Sequence, residues 1–265
     1  MLNWKIEKHV ISELAYNGTN IINPWGIETA DSWSFFSMEE GVGYRYKEVS
    51  RTEEINDQEM KSCVHVQARE GDWQICTEDS IGDNKIIRKA SLECFEDSIF
   101  MDFVVRMRFK KIFFDHAEIA GKKIVHEQKN VYHQFPVKNA HLIGSSFSVD
   151  INILDASCGE KFKPHLYVRD HGDEWVVHAR MIPVTSDKDV LKLCSRYFST
   201  SPLPQMVASP VLAFPAVKNY LWYRGEHSPY RSKLGRFFNL NAFPMVRLKK
   251  GEKLFWSVEI KINGQ

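Results

Sequence analysis

The sequence predicts an all-β fold, an antiparallel β-sandwich with one short helix. The first observation is the stretch 99–110, where apolar residues alternate with mostly charged ones, as in a strand with one face in a core. The second is that strand-like segments recur about every ten residues between turn residues, which is typical of sandwiches and barrels. The third is the aromatic share of 12%, because aromatic residues favour strands.

The stretch 99–110 has two different faces. One face is wholly apolar, whereas the other presents Phe100, Asp102, Val104, Arg106, Arg108 and Lys110. Charges on the second face suggest the floor of a concave sheet that meets a ligand. We therefore expect Asp102, Arg106 and Arg108 to bind substrate. Exposure of the two arginines on a convex surface would remove this interpretation.

Strand signals begin near the start of the chain. Segments 33–38 and 42–49 are predicted strands joined by a turn at 39–41, and the polar segment 50–61 is expected to be a surface loop or a short helix. Further strands are predicted at 63–68, 73–77, 88–94, 124–135, 141–153, 163–169 and 174–182.

One helix is predicted, over residues 187–198. Ser186 can cap it, and Asp187 and Asp189 lie in its first turn, where the helix dipole favours anions. The proline-rich segment 201–215 is interpreted as an ordered connector, because it is also rich in apolar residues. Strands are predicted at 219–224, 236–248 and 254–262. Without an internal repeat or a linker, we expect one domain, 1–265.

Composition excludes some classes of function. Lys and Arg total 35 against 34 for Asp and Glu, which argues against a general nucleic-acid binder. Neither an apolar run of signal-peptide length in residues 1–17 nor a run long enough to span a membrane is present. The five cysteines are scattered without a Cys-x-x-Cys pair, so we expect reduced cysteines in a cytoplasmic protein.

The C-terminal residues Leu248, Gly251-Glu252, Trp256, Ile260 and Ile262 resemble the closing strand of galactose-mutarotase-like β-supersandwiches. The middle of the chain resembles the same family: Arg88 begins a predicted strand, and residues 97–109 continue the strand pattern. This resemblance covers about a third of the chain and implies a carbohydrate-related function. The Asn-His pair of the mutarotase active site is absent: residues 237–240 look like the tail of that motif but lack the histidine. The resemblance therefore implies no catalytic residue.

The segment 163–171 carries the most distinct polar cluster. His165, Tyr167, Arg169 and His171 share one face at a period of two. His178 can follow on the next strand. A solvated polar face is the alternative. Imidazoles on paired strands can converge on a metal, but neither a carboxylate nor a Cys pair completes a recognised ligand spacing, so we expect none.

Two other clusters contain groups that can carry protons. In the first, Tyr132 and His133 are capable acids or bases, whereas His126 faces the other way if it lies on the same strand. An ordinary half-exposed strand is the alternative. The second cluster is a loop with Arg and Glu side chains that suit binding and proton transfer; the alternative is a turn held by local salt bridges. Its residues are Tyr223, Arg224, Glu226, His227, Tyr230 and Arg231.

These patterns support one leading hypothesis, a carbohydrate-active enzyme that epimerises an acidic saccharide or cleaves it by β-elimination. Phosphate-binding, dinucleotide-binding and nucleophilic-serine motifs are absent from the sequence, so we expect no cofactor. The expected proton carriers are His133, His165, His171, Glu226 and Tyr230. The expected substrate-binding residues are Asp102, Arg106, Arg108, Tyr167, Arg169, Arg224 and Arg231.

Two alternatives come from other classes. The first is a non-catalytic module that binds a glycan or a protein in a polysaccharide-synthesis system. The second is a scaffold or assembly factor in which exposed aromatic residues form an interface. The expected partner is a saccharide, and we expect the protein neither to bind nucleic acid nor to span a membrane. Whether it forms a homo-oligomer is left open.

Overall fold

The structure is a computed structural model that describes residues 2–39, 41–126, 132–193, 201–221 and 240–264. The strands in the first half of the chain are β1 (Leu2–Glu7), β2 (Val10–Tyr16), β3 (Thr19–Asn20), β4 (Ile22–Ala30), β5 (Phe35–Ser37), β6 (Tyr46–Ile55), β7 (Glu59–Ala68), β8 (Gly71–Ile81), β9 (Lys85–Cys94), β10 (Ser98–Phe100), β11 (Asp102–Lys110), β12 (His116–Ile119) and β13 (Lys122–Val125).

The strands in the second half are β14 (Tyr132–Phe135), β15 (Asn139–Ile143), β16 (Phe147–Ser157), β17 (Phe162–His171), β18 (Glu174–Pro183), β19 (Lys188–Leu193), β20 (Leu240–Leu248) and β21 (Lys253–Gly264). The helices are a 3₁₀ turn (Lys111–Phe113), α1 (Gln205–Leu212) and α2 (Pro215–Leu221). Strands dominate the described residues, and every strand pairing is antiparallel, which confirms the predicted fold class.

Two large sheets form the sandwich. The nine-stranded sheet has the order β13-β12-β15-β16-β21-β9-β8-β7-β6, and the six-stranded sheet has the order β14-β17-β18-β11-β4-β5. Smaller three-stranded sheets are formed by β1-β2-β3 and by β10-β20-β19. A chain that enters both large sheets several times must pack the apolar face of one against that of the other.

The main core lies between the two large sheets. Its largest fully buried side chains include Trp25, Trp73, Trp175 and Trp256. The indole N–H of Trp256 on β21 donates to the backbone oxygen of Phe103 on β11 at 3.3 Å, so a hydrogen bond joins the two sheets as well as apolar contact. This bond offsets the cost of burying the Trp256 N–H in an apolar core.

The predicted strand over 99–110 is interrupted at Met101, so the prediction of one continuous strand is wrong. Ser98–Phe100 pairs with β20, whereas Asp102–Lys110 pairs with β4 and β18. The Met101 N–H donates to the Ala30 oxygen at 2.7 Å where the chain passes from one sheet to the other. The alternation within Asp102–Lys110 is confirmed, because Phe103, Val105, Met107 and Phe109 all lie in the core.

The β10-β20-β19 sheet contacts one end of the six-stranded sheet. Ala30 and Met101 form a buried cluster there with Val190 of β19 and with Phe243 and Met245 of β20. This second apolar cluster shields the end of β4 and the start of β11 from solvent.

The helix predicted over 187–198 is wrong for the described residues of that segment. Lys188–Leu193 is strand β19, paired with β20, and residues 194–198 lie outside the described residues. The polar residues that suggested a helix start serve other bonds: Ser186 Oγ donates to Asp189 Oδ1 at 2.6 Å, and Asp187 Oδ2 accepts from the Arg247 N–H at 2.7 Å. Pairing with β20 overrides the local helical spacing.

Two other local predictions need correction, and a third, the ordered connector, gains detail. Residues 50–61 are mainly strand, because β6 ends at Ile55 and β7 begins at Glu59; its polarity reflects a position at the solvent-exposed edge of the sheet. The connector 201–215 contains α1. The strand predicted at 219–224 is helical in residues 219–221, which belong to α2, and its remainder lies outside the described residues.

Cys63 and Cys76 form a disulfide between β7 and β8, so the expectation that all cysteines are reduced is wrong for this pair. The two residues are direct cross-strand neighbours, with a Cα–Cα distance of 4.0 Å. Cys94 and Cys158 are free thiols. Within the described residues, neither helix is long and apolar enough to cross a membrane.

Candidate functional site

The polar face of the six-stranded sheet, which is the face directed away from the nine-stranded sheet, is the candidate site. One row of side chains crosses it. Arg106 on β11 is opposite His178 on β18, His178 is opposite Tyr167 on β17, and Tyr167 is opposite Gln134 on β14. Because side chains alternate along a strand, directly paired residues point to the same side of the sheet.

The neighbouring rows extend this polar face. On one side, Arg108, Val176, Arg169 and Tyr132 are paired in turn; on the other, Val104, Arg180 and His165 are paired in turn. The predicted groups Asp102/Arg106/Arg108 and His165/Tyr167/Arg169/His171 therefore share one face of one sheet.

Carboxylates form ion pairs with Arg106 and Arg108 on the polar face. Arg106 Nη1 lies 2.6 Å from Glu28 Oε1, and Arg106 Nη2 also bonds Glu39. Arg108 contacts Glu39 Oε1 at 3.0 Å through Nη1 and Glu174 Oε2 at 2.8 Å through Nε. The result is a continuous chain of ion pairs from β4 across β11 to β18.

A separate pair is more deeply buried. Arg180 donates to Asp102 Oδ2 at 2.8 Å, and both side chains are at least nine-tenths buried. Asp102 therefore has a structural partner on β18, and little of its surface is available to a ligand. The predicted role of Asp102 in substrate binding stays a prediction.

Exposure increases along the polar face. The His171 and Arg108 side chains are 34% and 25% exposed, whereas His165 at the other end is fully buried. The accessible end is therefore the one where β11 and β17 end and where β4 and β18 begin. Arg106, at 14%, and His178 lie between these extremes, so the arginines do not point into bulk solvent.

His178 is the central ionisable group of the polar face. Its Nε2 lies 3.2 Å from the hydroxyl of Tyr167, and the two rings are in contact, with centroids 4.2 Å apart. Burial, followed by the positive charges of Arg106, Arg169, Arg180 and Arg108, lowers the pKa of His178 well below its ordinary 6.5. The imidazole is therefore neutral at pH 7.

The carboxylates of this face have different environments. Burial raises the pKa of Glu28, although Arg106 opposes the shift, and burial likewise raises the pKa of Asp102 against the effect of Arg180. Burial also opposes ionisation of Glu174, but hydrogen bonds from Asn23, Arg108 and His171 outweigh it and lower the Glu174 pKa. Burial thus favours the protonated form of Glu28, whereas the hydrogen bonds to Glu174 favour its ionised form.

An aromatic pair flanks the accessible end. Arg169 Nη1 donates to the Tyr132 hydroxyl at 2.9 Å, and its guanidinium lies 5.1 Å from the Tyr132 ring centroid. The Tyr132 ring meets that of Tyr167 edge-on, with centroids 5.4 Å apart. Such a flat, partly exposed ring can pack against the C–H groups of a sugar.

The other predicted proton carriers lie in less favourable places. Gln134 Nε2 lies 3.4 Å from His165 Nδ1, and both side chains are fully buried. His133 is paired with the core residue Val168, so the register directs it to the opposite face. His171 is on the polar face and lies 3.3 Å from Glu174.

The predicted loop cluster cannot be placed. Arg224, Glu226, Tyr230 and Arg231 lie outside the described residues, as do Tyr223 and His227. Their proposed roles in catalysis and binding stay predictions. In the parts of the chain that the structure describes, three or more His, Cys, Asp or Glu side chains nowhere form a group that could hold a metal ion.

Sequence reasoning missed several members of the site. Glu174 and Arg180 alternate on β18 with core residues, as does His178, which the sequence already predicts on this strand. The alternation could have assigned Glu174 and Arg180 to the face that the β17 cluster shares. Glu28 and Glu39 had no comparable local signal, because they reach Arg106 only through the pairing of β4 with β11 and through the loop after β5.

The fold places the molecule in a class of structures. The two large antiparallel sheets, with the polar face on the smaller of them, have a fold similar to that of galactose-mutarotase-like structures. The resemblance inferred from the sequence is therefore confirmed at the level of the fold.

Solved structures that match over essentially the whole chain include the following three. A proposed aldose 1-epimerase from Escherichia coli K12 matches 100% of this chain and 99% of its own, at a TM-score of 0.50 and 6% identity. A galactose mutarotase related enzyme from Lactobacillus acidophilus matches 100% and 98%, at 0.50 and 7%. A galactose mutarotase-like protein from Lactobacillus casei matches 99% and 97%, at 0.51 and 7%. At this identity the likeness concerns the fold alone.

No family model and no curated protein matches the chain.

Proposed function

We propose that the protein binds a saccharide on the polar face and epimerises it at the anomeric carbon. The observation that carries this proposal is His178, a buried imidazole kept neutral among arginines and in contact with Tyr167 near an accessible end of the sheet. The names of the structural neighbours, which include an aldose 1-epimerase and galactose mutarotase-like proteins, support the same chemistry.

Anomer exchange requires two proton transfers and neither metal nor cofactor. A base takes the proton from the O1 hydroxyl while an acid protonates the ring oxygen, so the C1–O5 bond breaks and an open-chain aldehyde forms. Rotation about C1–C2 and the reverse transfers close the ring as the other anomer. A neutral imidazole has a nitrogen lone pair that can take the proton in transit, its lowered pKa ensuring that the proton is passed on, and a carboxyl with a raised pKa suits the acid.

We assign the base to His178 and the acid to Glu28. Arg106 links them, because it is the cross-strand neighbour of His178 and contacts Glu28 at 2.6 Å. The strands that carry the two residues are separated only by β11, which corresponds to a backbone separation of about 10 Å.

The test is the rate of anomer exchange, measured by polarimetry and NMR exchange with glucose, galactose, xylose and glucuronate. We expect the protein to accelerate exchange of at least one of them. His178→Asn and Glu28→Gln should each lower the rate at least about 100-fold. His141→Asn, in an exposed pair with Asp150 on the other large sheet, is the matched control and should keep the wild-type rate.

Absence of both acceleration and binding by calorimetry for all four sugars would overturn the proposal. Formation of an unsaturated product from a uronate oligosaccharide would replace epimerisation by β-elimination, the other reaction suggested by the sequence.

A non-catalytic glycan-binding module is the second candidate. The supporting observation is that Arg106, Arg108 and Arg180 are already paired with carboxylates, an arrangement suited to holding sugar hydroxyl groups through both partners. This candidate predicts calorimetric binding without accelerated exchange, and His178→Asn would then keep its affinity.

Location and organisation also stay proposals. A single domain, a saccharide partner and a cytoplasmic location rest on the sequence. The Cys63–Cys76 disulfide weighs against the cytoplasm, because disulfides are rare there. Alkylation of thiols in intact cells before lysis tests the location. Modification of Cys63 and Cys76 would support a cytoplasmic location, and their protection from the reagent would oppose it.

A further inference from the structure

One carboxylate of the polar face, that of Glu39, is carried by a loop and not by a strand. Glu39 follows β5 in a loop, whereas Glu28 and Glu174 lie on strands of the sheet. The Glu39 carboxylate uses both oxygens: Oε2 contacts Arg106, and Oε1 contacts Arg108 at 3.0 Å. It therefore bridges two neighbouring guanidinium groups on the same strand.

The two arginines do not depend on Glu39 for their positions. Arg106 keeps Glu28 at 2.6 Å, and Arg108 keeps Glu174 at 2.8 Å. Glu174 is itself held by Asn23, whose Nδ2 donates to it at 2.9 Å. If Glu39 moved away, each guanidinium would stay oriented by a strand-borne partner and would present free N–H groups on the side that Glu39 had occupied.

Only the side chain of Glu39 needs to move. Its backbone N–H donates to Ser37 Oγ at 3.2 Å, and its carbonyl accepts from the Val42 N–H at 3.4 Å. Just beyond, Tyr44 is paired with Phe35 through N–H···O bonds of 2.8 and 3.1 Å. The loop is thus closed at its base, and rotation of the Glu39 side chain is sufficient to uncover the arginines.

The charges favour exchange of one anion for another. Three carboxylates, those of Glu28, Glu39 and Glu174, face Arg106 and Arg108. Displacement of Glu39 removes the one negative charge that contacts both guanidinium groups. An anion that takes its position is attracted to both arginines, and the attraction is strong because the place is partly buried.

We propose that Glu39 occupies the position of a ligand's anionic group and is displaced when a saccharide bearing a carboxylate or a phosphate binds to Arg106 and Arg108. This inference rests on the proposed function, in that the polar face binds a saccharide, and it adds the substrate class. Two adjacent guanidiniums match the geometry of both oxyanions. Glu39 also acts as a gate, because neutral sugars do not compete with it.

The experiment compares the wild type with Glu39→Gln by calorimetry. The probes are glucuronate, glucose 6-phosphate, neutral glucose and inorganic phosphate, at low ionic strength because salt screens such contacts. We expect Glu39→Gln to bind at least one anionic sugar about tenfold more tightly than the wild type and to bind glucose with unchanged affinity. The preferred anionic sugar identifies whether carboxylate or phosphate is the natural group.

Two further variants make the result specific. Glu78→Gln removes an exposed carboxylate that pairs with Lys89 at 3.0 Å on the other large sheet, and it should leave all affinities unchanged. Glu39→Gln combined with Arg106→Lys should lose the gain. Because glutamine has nearly the volume of glutamate, Glu39→Gln should fold, and its thermal midpoint verifies this.

Equal affinity of the wild type and Glu39→Gln for every anion would overturn the inference. The proposed function would still stand in that case if the wild type accelerates the anomer exchange of a neutral aldose. The binding of inorganic phosphate identifies the opposite case, in which the anion site exists but the proposed function is wrong. If Glu39→Gln binds phosphate more tightly than the wild type while neither protein binds or converts any sugar, the anion site stands and the proposed function fails.

Discussion

The guanidinium of Arg106 lies directly over the backbone of Gly26. The two residues are cross-strand neighbours on β11 and β4, and a β-carbon placed on Gly26 would lie 3.2 Å from Arg106 Nη2 and 3.5 Å from Nε. The absence of a side chain at Gly26 therefore makes room for the arginine that contacts both Glu28 and Glu39. A small residue on one strand determines the position of a charged residue on the next.

Gly26→Val should displace the Arg106 guanidinium and break its ion pairs. We expect the free energy of unfolding to fall by about 1–3 kcal/mol, since a larger side chain must be accommodated in a filled space. Urea denaturation measures this change. Gly82→Val is the matched control, because a β-carbon at Gly82 would meet only Lys85, at the ordinary distances of 3.7 and 3.8 Å. Equal stability of the two variants would show that Arg106 does not need the space.

The ion pair between Asp79 and Arg88 should be essential to the core. Arg88 donates to both carboxylate oxygens of Asp79, at 2.6 and 2.9 Å, and the side chains are 2% and 0% exposed. Asp79→Ala leaves a buried, unpaired guanidinium, so we expect a loss of about 3–5 kcal/mol in the free energy of unfolding. Urea denaturation again gives the value.

The same two strands provide a matched comparison. Lys89 and Glu78 pair at 3.0 Å on the outer face of β8 and β9, where both side chains are more than 40% exposed. Glu78→Ala should cost only about 0–1 kcal/mol, because solvent weakens exposed pairs. A similar cost for Asp79→Ala and Glu78→Ala would mean that the buried charge finds another partner after mutation.

Strand periodicity predicted the orientation of individual residues well. The alternation in Asp102–Lys110 correctly separated Phe103 and Met107, which lie in the core, from Arg106 and Arg108, which lie on the polar face. This succeeds because the direction of a side chain depends on its own strand, a local property.

The partners of those residues could not be predicted. Glu28 and Glu39 contact Arg106 from positions more than 60 residues away in sequence, and only the order of the strands in the sheet brings them together. The same limit explains the error at 187–198. Its helical spacing is genuine, but pairing with β20 decides the structure of Lys188–Leu193.

The disulfide between Cys63 and Cys76 should contribute measurably to stability. The cysteines are 13 residues apart, and closing a loop of that length restricts the unfolded chain. We expect the double substitution Cys63→Ser/Cys76→Ser to lower the free energy of unfolding by about 2–4 kcal/mol. Peptide mapping without reductant should recover the two residues in one linked fragment.

Cys158→Ser is the control for this substitution, since Cys158 is a free, partly buried thiol. It should leave the unfolding curve almost unchanged. Separate peptides for Cys63 and Cys76 in the unreduced map would contradict the predicted pairing.

His178 should make the protein less stable in acid. Its pKa in the folded state is lowered by burial and by the nearby arginines, whereas an unfolded histidine titrates near 6.5. Below about pH 6.5 the unfolded chain therefore binds a proton that the folded chain does not, and stability falls by at most about 1.4 kcal/mol per pH unit. The raised pKa values of Glu28 and Asp102 act in the opposite sense, because there the folded state takes up protons first.

Comparison of variants isolates the histidine from these carboxyl groups. His178→Gln cannot gain a proton at this position, so its unfolding free energy should fall less than that of the wild type when the pH is lowered from 7.5 to 5.5. Urea denaturation at both pH values measures the difference. His141→Gln, which removes an imidazole paired with Asp150 on the other large sheet, serves as the control. Parallel pH dependence for wild type and His178→Gln would mean that His178 takes up its proton in the folded protein as readily as in the unfolded chain, contrary to its surroundings of four arginines.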